Sequence, residues 1–316
     1  MVLCNGIDGH MKLLLSNPRG FCAGVVRAIK TVEQALKIWG APIYVKHQIV
    51  HNRHVVESLR ERGAIFIKDL DEVPIGCRII YSAHGIPPSV RAHAKKRKLV
   101  EIDASCGLVI RVHSAVRRFV SKGYHVLLIG HRTHVEVVGT IGEAPESITI
   151  IESVKDLKKL HLSSKQKLCY ITQTTLSLDD VKEIISAIKA KYPNIETLPR
   201  SSICYATANR QLALKAFLHF VDIVLVIGDP NSSNSNRLCE VAIKQDIPGY
   251  LINDPLEIHS TWFKGVTTIG LTAGASTPES LVQKCVKYLR TLGVMKVEEF
   301  KYTEEKVVFQ LPQEVM

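Results

Sequence analysis

Three cysteines of this 316-residue chain share one setting. Cys22, Cys106 and Cys204 each follow an extended run and open a helix-like one, in GFCAGVVRAI, ASCGLVIRVH and SICYATANRQ. A thiol at a helix N-terminus faces unsatisfied backbone N–H groups and the positive end of the helix dipole, and both favour the thiolate. Three thiolates from three segments, gathered at one point, would form a soft ligand set for zinc or for an iron–sulfur cluster. Structural zinc generally takes a fourth ligand and close Cys-x-x-Cys pairs; the chain has no such pair, which weighs against zinc. A cubane cluster on three cysteines would keep one iron open to substrate. A lone cysteine is ordinarily a small buried residue. That reading suits Cys169 in a strand-like run, Cys239 and Cys285 on apolar helix faces, Cys77 before a strand and Cys4 in an N-terminal extension.

Polar clusters recur behind these cysteines. His51, His134 and Ser232 lie 29, 28 and 28 positions after Cys22, Cys106 and Cys204, and His84, Thr174 and Ser276 lie 62, 68 and 72 positions after them. The first unit supplies HQIVHN (His47, His51) and YSAHGIP (His84); the second supplies GHRTHVEVVGT (His131, His134, Glu136) and TQTTLS (Thr174, Thr175). Imidazoles bind anionic oxygens and carry protons near neutral pH. His134 and Glu136 put a proton donor and a carboxylate in one loop, an acid–base pair. The third unit supplies NSSNSNR at 231–237 and TAGAST at 272–277. One Ser or Thr per helix is simple N-capping, but Ser232, Ser233, Asn234 and Asn236 together suit a phosphate group. Neither a Walker-type loop nor Gly-x-Gly-x-x-Gly occurs, so a nucleotide cofactor is not indicated.

Such residues need a scaffold that delivers them from many segments. Twelve short apolar runs read as strands, near 12–17, 42–46, 64–68, 78–83, 100–105, 125–130, 148–152, 167–173, 195–200, 222–228, 249–253 and 267–273, with helix-period segments between most of them. This alternation predicts an α/β protein with parallel sheets covered by helices on both faces, its loops gathered at the carboxyl ends of the strands where ligands bind. The recurring cysteines divide the chain into three pseudo-repeated lobes, each a mainly parallel four-stranded sheet with flanking helices. The expected bounds are 1–22 for a leader and first strand, then 23–106, 107–203 and 204–291, with a tail at 292–316 that packs back on the body. The first strand is expected to join the sheet of the third or the first lobe. Met11 is a possible alternative start, since the first strand begins just after it.

The bulk numbers narrow the class. No run of about 18 apolar residues is present, so no membrane span is predicted, and the N-terminus does not read as a secretory signal. Eight scattered cysteines in a chain of this length suit a reducing cytosol better than a disulfide framework. The net charge of +11 fits attraction of an anionic substrate or an acidic protein partner. A nucleic-acid-binding role has only that charge in its favour: the densest basic run, RAHAKKRKLV at 91–100, lacks interleaved aromatics and reads as the solvated end of a helix. A zinc hydrolase using the histidines and Glu136 is the competing enzyme reading.

The segments NPRGFCAGV, VHN, SAHG, TQTTLS, CYATANRQ, NSSNSNRL and TAGAS together closely resemble the LytB family of 4-hydroxy-3-methylbut-2-enyl diphosphate reductases, from about Lys12 to the VVFQLP tail. The resemblance implies three lobes around a central cavity and one oxygen-sensitive 4Fe-4S cluster on Cys22, Cys106 and Cys204. It implies that His51, His84, Ser232, Ser233, Asn234 and Ser276 hold the diphosphate of a small allylic substrate, with Thr174, His134 and Glu136 near its hydroxyl. The activity implied is a two-electron reductive dehydroxylation to isopentenyl and dimethylallyl diphosphate, the last step of the non-mevalonate isoprenoid pathway. A cytoplasmic setting and an external ferredoxin or flavodoxin as electron donor complete the expectation, with no nucleic-acid or membrane partner. Two stretches depart from the family pattern. DASCG stands where the family usually has Asp-Ala-Thr-Cys-Pro, so Ser105 and Gly107 flank the second cysteine. THVEVVG stands for the family's Gly-His-Pro-Glu-Val-Glu-Gly, where Val135 replaces proline, Val138 replaces a glutamate, and His134 and Glu136 are kept.

Overall fold

The computed structural model describes residues 11–163 and 166–316; the leader before Met11, with Cys4, lies outside them. Contacts divide the chain into two compact units, one built from Met1–Cys22 with Tyr205–Val307 and the other from Ala23–Cys204 with Val308–Met316.

Along the chain, β1 (Met11–Asn17) is followed by α1 (Ala23–Trp39). Then come β2 (Ile43–Lys46), α2 (Arg53–Glu61), β3 (Ala64–Ile67), β4 (Arg78–Tyr81), α3 (Pro88–Lys96) and β5 (Val100–Asp103). The strands β3-β2-β4-β5, in that order, form one sheet. A second sheet, β7-β6-β8-β9, is built over α4 (Gly107–Ser121), β6 (His125–Ile129), α5 (Val135–Ile141), β7 (Ile148–Ile151), α6 (Val154–Lys159), β8 (Leu168–Thr172), α7 (Leu178–Lys191) and the two-residue β9 (Glu196–Thr197). The remaining elements are α8 (Tyr205–Phe217), β10 (Ile223–Ile227), α9 (Ser233–Ile243), β11 (Gly249–Ile252), β12 (Thr268–Ala273), α10 (Glu279–Thr291) and β13 (Val294–Lys301). Their strands take in β1 to give the order β11-β10-β12-β1-β13. Every ladder among the described residues is parallel.

Each of the twelve expected runs contains a strand, and a thirteenth is present. The third sheet therefore has five strands rather than four. β1 joins this sheet, one of its two expected places, and β13 beyond it is the added strand. The edge strand β13 carries Lys296, Glu298 and Glu299 at exposed and half-buried positions, so its sequence has no apolar run to announce it. The run expected at 195–200 shrinks to β9, whose two residues are both exposed.

Period-2 alternation sets the two faces of the five-stranded sheet. Leu13, Leu15, Ile223, Leu225, Ile227, Ile269 and Leu271 pack on one side with Leu281, Val282, Cys285 and Leu289 of α10. Leu14, Val224 and Val226 face the other side, against Leu214 and Phe217 of α8 and Leu238, Val241 and Ala242 of α9. The second sheet repeats the scheme, with Val126, Leu128, Cys169 and Ile171 on one face and Leu127, Ile129 and Tyr170 on the other. Because both faces are covered, the central strands are apolar throughout, and each such side chain contributes roughly 1.5–3 kcal/mol of burial. On α1 the buried residues Val25, Ala28, Val32 and Ala35 fall on one stripe at helical spacing. The basic run at 91–100 behaves as expected: Ala94 and Leu99 are buried and its basic residues lie at the surface.

Parallel strands with covered faces leave one place for polar chemistry, the loops after their carboxyl ends. Those loops, after β1, β2, β4, β5, β6, β8, β9, β10 and β12, carry the residues selected from the sequence.

Candidate active site

In the unit built on Ala23–Cys204, three histidines from three loops come together. The His51 ring lies 4.2 Å from that of His84 and 5.7 Å from that of His134, and the last two are 6.1 Å apart. Ala83 N–H donates to Ile49 O (3.1 Å), which ties the His84 loop to the loop of His51. His134 is the N-cap of α5: its Nδ1 accepts the Glu136 N–H at 3.2 Å, which places its proton on Nε2 in the neutral ring. Burial, then the neighbouring imidazoles His51 and His131, lowers the His134 pKa to about 4. Burial, then His51, His134 and His47, holds His84 well below its ordinary value. At neutral pH both rings are uncharged hydrogen-bond partners.

Glu136 sits in the first turn of α5 and is 3% exposed. Thr174 holds both of its oxygens: the Thr174 N–H donates to Oε1 at 2.7 Å and its hydroxyl to Oε2 at 2.8 Å. Burial raises the Glu136 pKa to about 7, against the opposing pull of those two bonds. A carboxyl so poised can give up a proton at neutral pH. Thr174 engages both oxygens, and among the described residues Glu136 and the histidines are not gathered closely enough to form a common metal-ligand set, which weighs against the zinc-hydrolase reading. Val135 occupies the first helical position and α5 forms there without proline, while Val138 points away from the core and is 47% exposed.

In the unit containing Cys22, the loop after β10 ends in Ser232, the N-cap of α9. Its Oγ accepts the Ser235 N–H (3.3 Å) and the Ser235 hydroxyl (3.0 Å), so its own proton points elsewhere. Asn234 bridges two elements: Oδ1 accepts the Ala275 N–H at 2.9 Å and Nδ2 donates to Thr207 Oγ1 at 3.3 Å. This sets the Ser276 loop beside the N-terminus of α9, an eleven-residue helix whose first N–H groups and dipole favour an anion. Ser232, Asn234 and Ser276 are buried, and Ser233 is half-buried.

The three cysteines are anchored in one manner. Cys22 N–H donates to Ala275 O (3.1 Å), Cys106 N–H to Ala83 O (2.9 Å) and Cys204 N–H to Thr174 O (3.0 Å). Each thus docks on the loop that carries Ser276, His84 or Thr174, the second polar cluster of the preceding repeat. All three side chains are half-buried, and no disulfide forms among the described residues. Cys169 and Cys285 lie instead in the apolar cores, where burial pushes both thiols up to about 12. Cys239 donates to Gly249 O at 3.1 Å, and Cys77 packs against a third apolar cluster. The donor chemistry therefore fits a group that takes three thiolates: three accessible sulfurs at helix starts, each backbone-anchored, with the other described cysteines otherwise engaged.

Gly107 follows Cys106 at the first position of α4, and a Cβ there would lie 3.0 Å from Phe309 Cε1. A side chain there would crowd the tail, and Phe309 would have to give by a few tenths of an ångström to admit it. Residues missed by the sequence reading are those that support the chosen ones: Thr207 beneath Asn234, Ser235 beneath Ser232, and Gln173, whose Oε1 accepts the His131 N–H at 3.0 Å. Thr207, Gln173 and Ser235 all lie inside quoted motifs, so position alone could have selected them.

Comparison with known proteins places the chain. The family described as LytB protein matches residues 13–290. A 4-hydroxy-3-methylbut-2-enyl diphosphate reductase of Protochlamydia amoebophila is 64% identical over 97% of this chain and 98% of its own length. Its counterpart in Chlamydia pneumoniae is 60% identical over 96% and 98%. Among solved structures, the E-1-hydroxy-2-methyl-but-2-enyl-4-diphosphate reductase of Plasmodium falciparum superposes with a TM-score of 0.94 at 45% identity, covering 97% of each chain. A second structure, of the terminal enzyme of the non-mevalonate pathway, gives a TM-score of 0.64 at 31% identity over 89% of this chain and 99% of its own. With its fold, its motifs and nearly its whole length matched, the chain is an enzyme belonging to the LytB family.

Proposed function

We propose that this enzyme removes the hydroxyl group of 4-hydroxy-3-methylbut-2-enyl diphosphate with two electrons and two protons, releasing water and giving isopentenyl and dimethylallyl diphosphate. The observation that carries the reading is the buried Glu136 carboxyl, poised near neutrality and held on Thr174. Cys22, Cys106 and Cys204 would hold a 4Fe-4S cluster, which when bound supplies the electrons one at a time and an open iron as a Lewis acid for the substrate oxygen. An acidic carrier, ferredoxin or flavodoxin, would deliver those electrons in a reducing cytosol. No helix among the described residues is long and apolar enough to cross a membrane.

The remaining work falls to the chain itself. Ser232, Ser233, Asn234 and Ser276, with the N-terminus of α9, bind the diphosphate, and His51 and His84 add imidazole donors to its oxygens. Protonated Glu136 donates to Thr174 Oγ1, so the Thr174 proton turns toward the substrate hydroxyl and leaves with it as water. His134, held in its Nε2–H form by the Glu136 N–H, orients that hydroxyl. The second proton goes to one end or the other of the allylic carbon chain, which accounts for two products. The test is anaerobic turnover with reconstituted protein, reduced methyl viologen and the diphosphate substrate. Two dye equivalents oxidised per substrate, with both products formed, are expected. Substrate recovered unchanged from iron- and sulfide-replete protein would overturn the reading.

A further inference from the structure

The helix behind each cysteine carries one arginine at nearly the same place: Arg27 five positions after Cys22, Arg111 five after Cys106 and Arg210 six after Cys204. The turn carbonyl that each one holds lies before a different cysteine, although Arg210 Nη1 also donates to Ala206 O (2.9 Å) just behind Cys204. Arg27 Nη1 donates to Ser105 O at 2.8 Å and Nη2 to Asp103 O at 3.1 Å, the last carbonyls before Cys106. Arg111 Nη2 donates to Ser201 O at 2.6 Å, three residues before Cys204. Arg210 Nη2 donates to Gly20 O at 2.7 Å, two residues before Cys22. The assignment runs in a cycle: the helix after the first cysteine holds the turn into the second, the helix after the second holds the turn into the third, and the helix after the third holds the turn into the first.

The C-terminal segment braces two of these side chains. Arg27 Nε donates to Gln310 O at 2.7 Å. Fully buried Arg210 is paired with Glu305 at 3.0 and 3.2 Å. Guanidinium suits this task for a physical reason. A turn that leaves its strand to enter a cysteine has carbonyls that have lost their ladder partners, and burying such a group unsatisfied is costly. The planar, permanently charged fork of Arg27 satisfies two of them at once and fixes their directions, while Arg111 and Arg210 each hold one. It also puts positive charge beside an anionic sulfur ligand, as Arg27 does for Cys106.

We propose that Arg27, Arg111 and Arg210 are positioning residues that latch the three cysteine turns in a cycle, so that each ligand turn is held by the helix behind a different ligand. This rests on the reading of the cysteines as cluster ligands. Loss of a supporting residue of this kind typically weakens metal retention by about 10–100-fold.

The test is the rate of iron release from the reconstituted holoprotein to an excess of bathophenanthroline under argon, measured with thermal melting of the same samples. Arg111→Gln and Arg27→Gln are expected to release iron at least about tenfold faster than wild type. Arg118→Gln, on the exposed face of the same helix as Arg111, is expected to match wild type. Arg111→Lys restores retention because one carbonyl is served, whereas Arg27→Lys does not, because three are. Release from Arg111→Gln and Arg27→Gln at the Arg118→Gln rate would overturn the latch. So would equal rescue by lysine at both sites, or losses that simply follow melting temperature across the set, Arg118→Gln included. Wild-type protein that never acquires iron and sulfide would instead overturn the ligand reading beneath it.

Discussion

Replacing Glu136 by Gln isolates the cost of keeping a carboxyl where it is needed. The group ordinarily ionises near 4.5 and is raised to about 7 here, chiefly by burial. Between those values the folded chain holds a proton that the unfolded chain has lost. The stability this confers is full below pH 4.5 and is given up as pH climbs through 7. Each pH unit of displacement is worth about 1.4 kcal/mol. Integrating between pH 5.5 and 8.5, wild type should lose about 2 kcal/mol relative to a variant with no titrating group at 136. Glutamine keeps the shape: its oxygen accepts the Thr174 N–H and its amide donates to Thr174 Oγ1. The assay is thermal melting of the metal-free protein, wild type and Glu136→Gln, across that pH range. The variant should gain on wild type as pH rises, by about 3 °C for a chain of this length at about 2.1 cal/mol/K of unfolding entropy per residue. Its holoprotein should retain its cluster and lose most turnover. Melting curves that stay parallel from pH 5.5 to 8.5 would refute the buried, proton-holding Glu136 on which proton delivery depends.

Other outcomes follow from the same geometry. Asn234→Ala strips the Ala275 N–H of its acceptor, which should cost about 1–3 kcal/mol and raise KM more than it lowers kcat, read from melting and steady-state kinetics. Inorganic pyrophosphate should bind more tightly as pH falls from 8 to 6. Imidazoles kept neutral by burial, His84 and His134, gain protons beside a multivalent anion, and Glu136 sheds its charge over the same range. Calorimetry in two buffers of different ionisation heat should register that proton uptake.

Much of this was legible because it is written locally. Runs such as IVLVIG and HVLLIG show their burial on both faces, and strand-to-helix junctions announced where cysteines and polar clusters would stand. Matched spacing of His84, Thr174 and Ser276 behind the cysteines corresponds to a physical contact, since each following cysteine donates its N–H into that loop. Only the family resemblance brings Glu136 and Thr174 to one place, near the substrate hydroxyl, because nothing in a 38-residue separation announces the hydrogen bond between them. The arginines were passed over for the same reason. Arg27 reaches 78 residues along the chain and Arg210 reaches 190, and a long flexible side chain gives no periodic signal of where its end will rest. The edge strand β13 escaped because its exposed charges broke the apolar pattern, and Gly107 made sense only once Phe309 was found in the space beside it.

The account depends most on three cysteines sharing one inorganic centre, and counting iron and acid-labile sulfide per chain tests that directly. Anaerobically reconstituted wild type should hold about four of each, with Cys22→Ser, Cys106→Ser and Cys204→Ser each losing most of both while Cys169→Ser, Cys239→Ser and Cys285→Ser, where folded, keep them. Zinc without sulfide in the wild type, or undiminished iron after substitution of Cys22, Cys106 or Cys204, would contradict it.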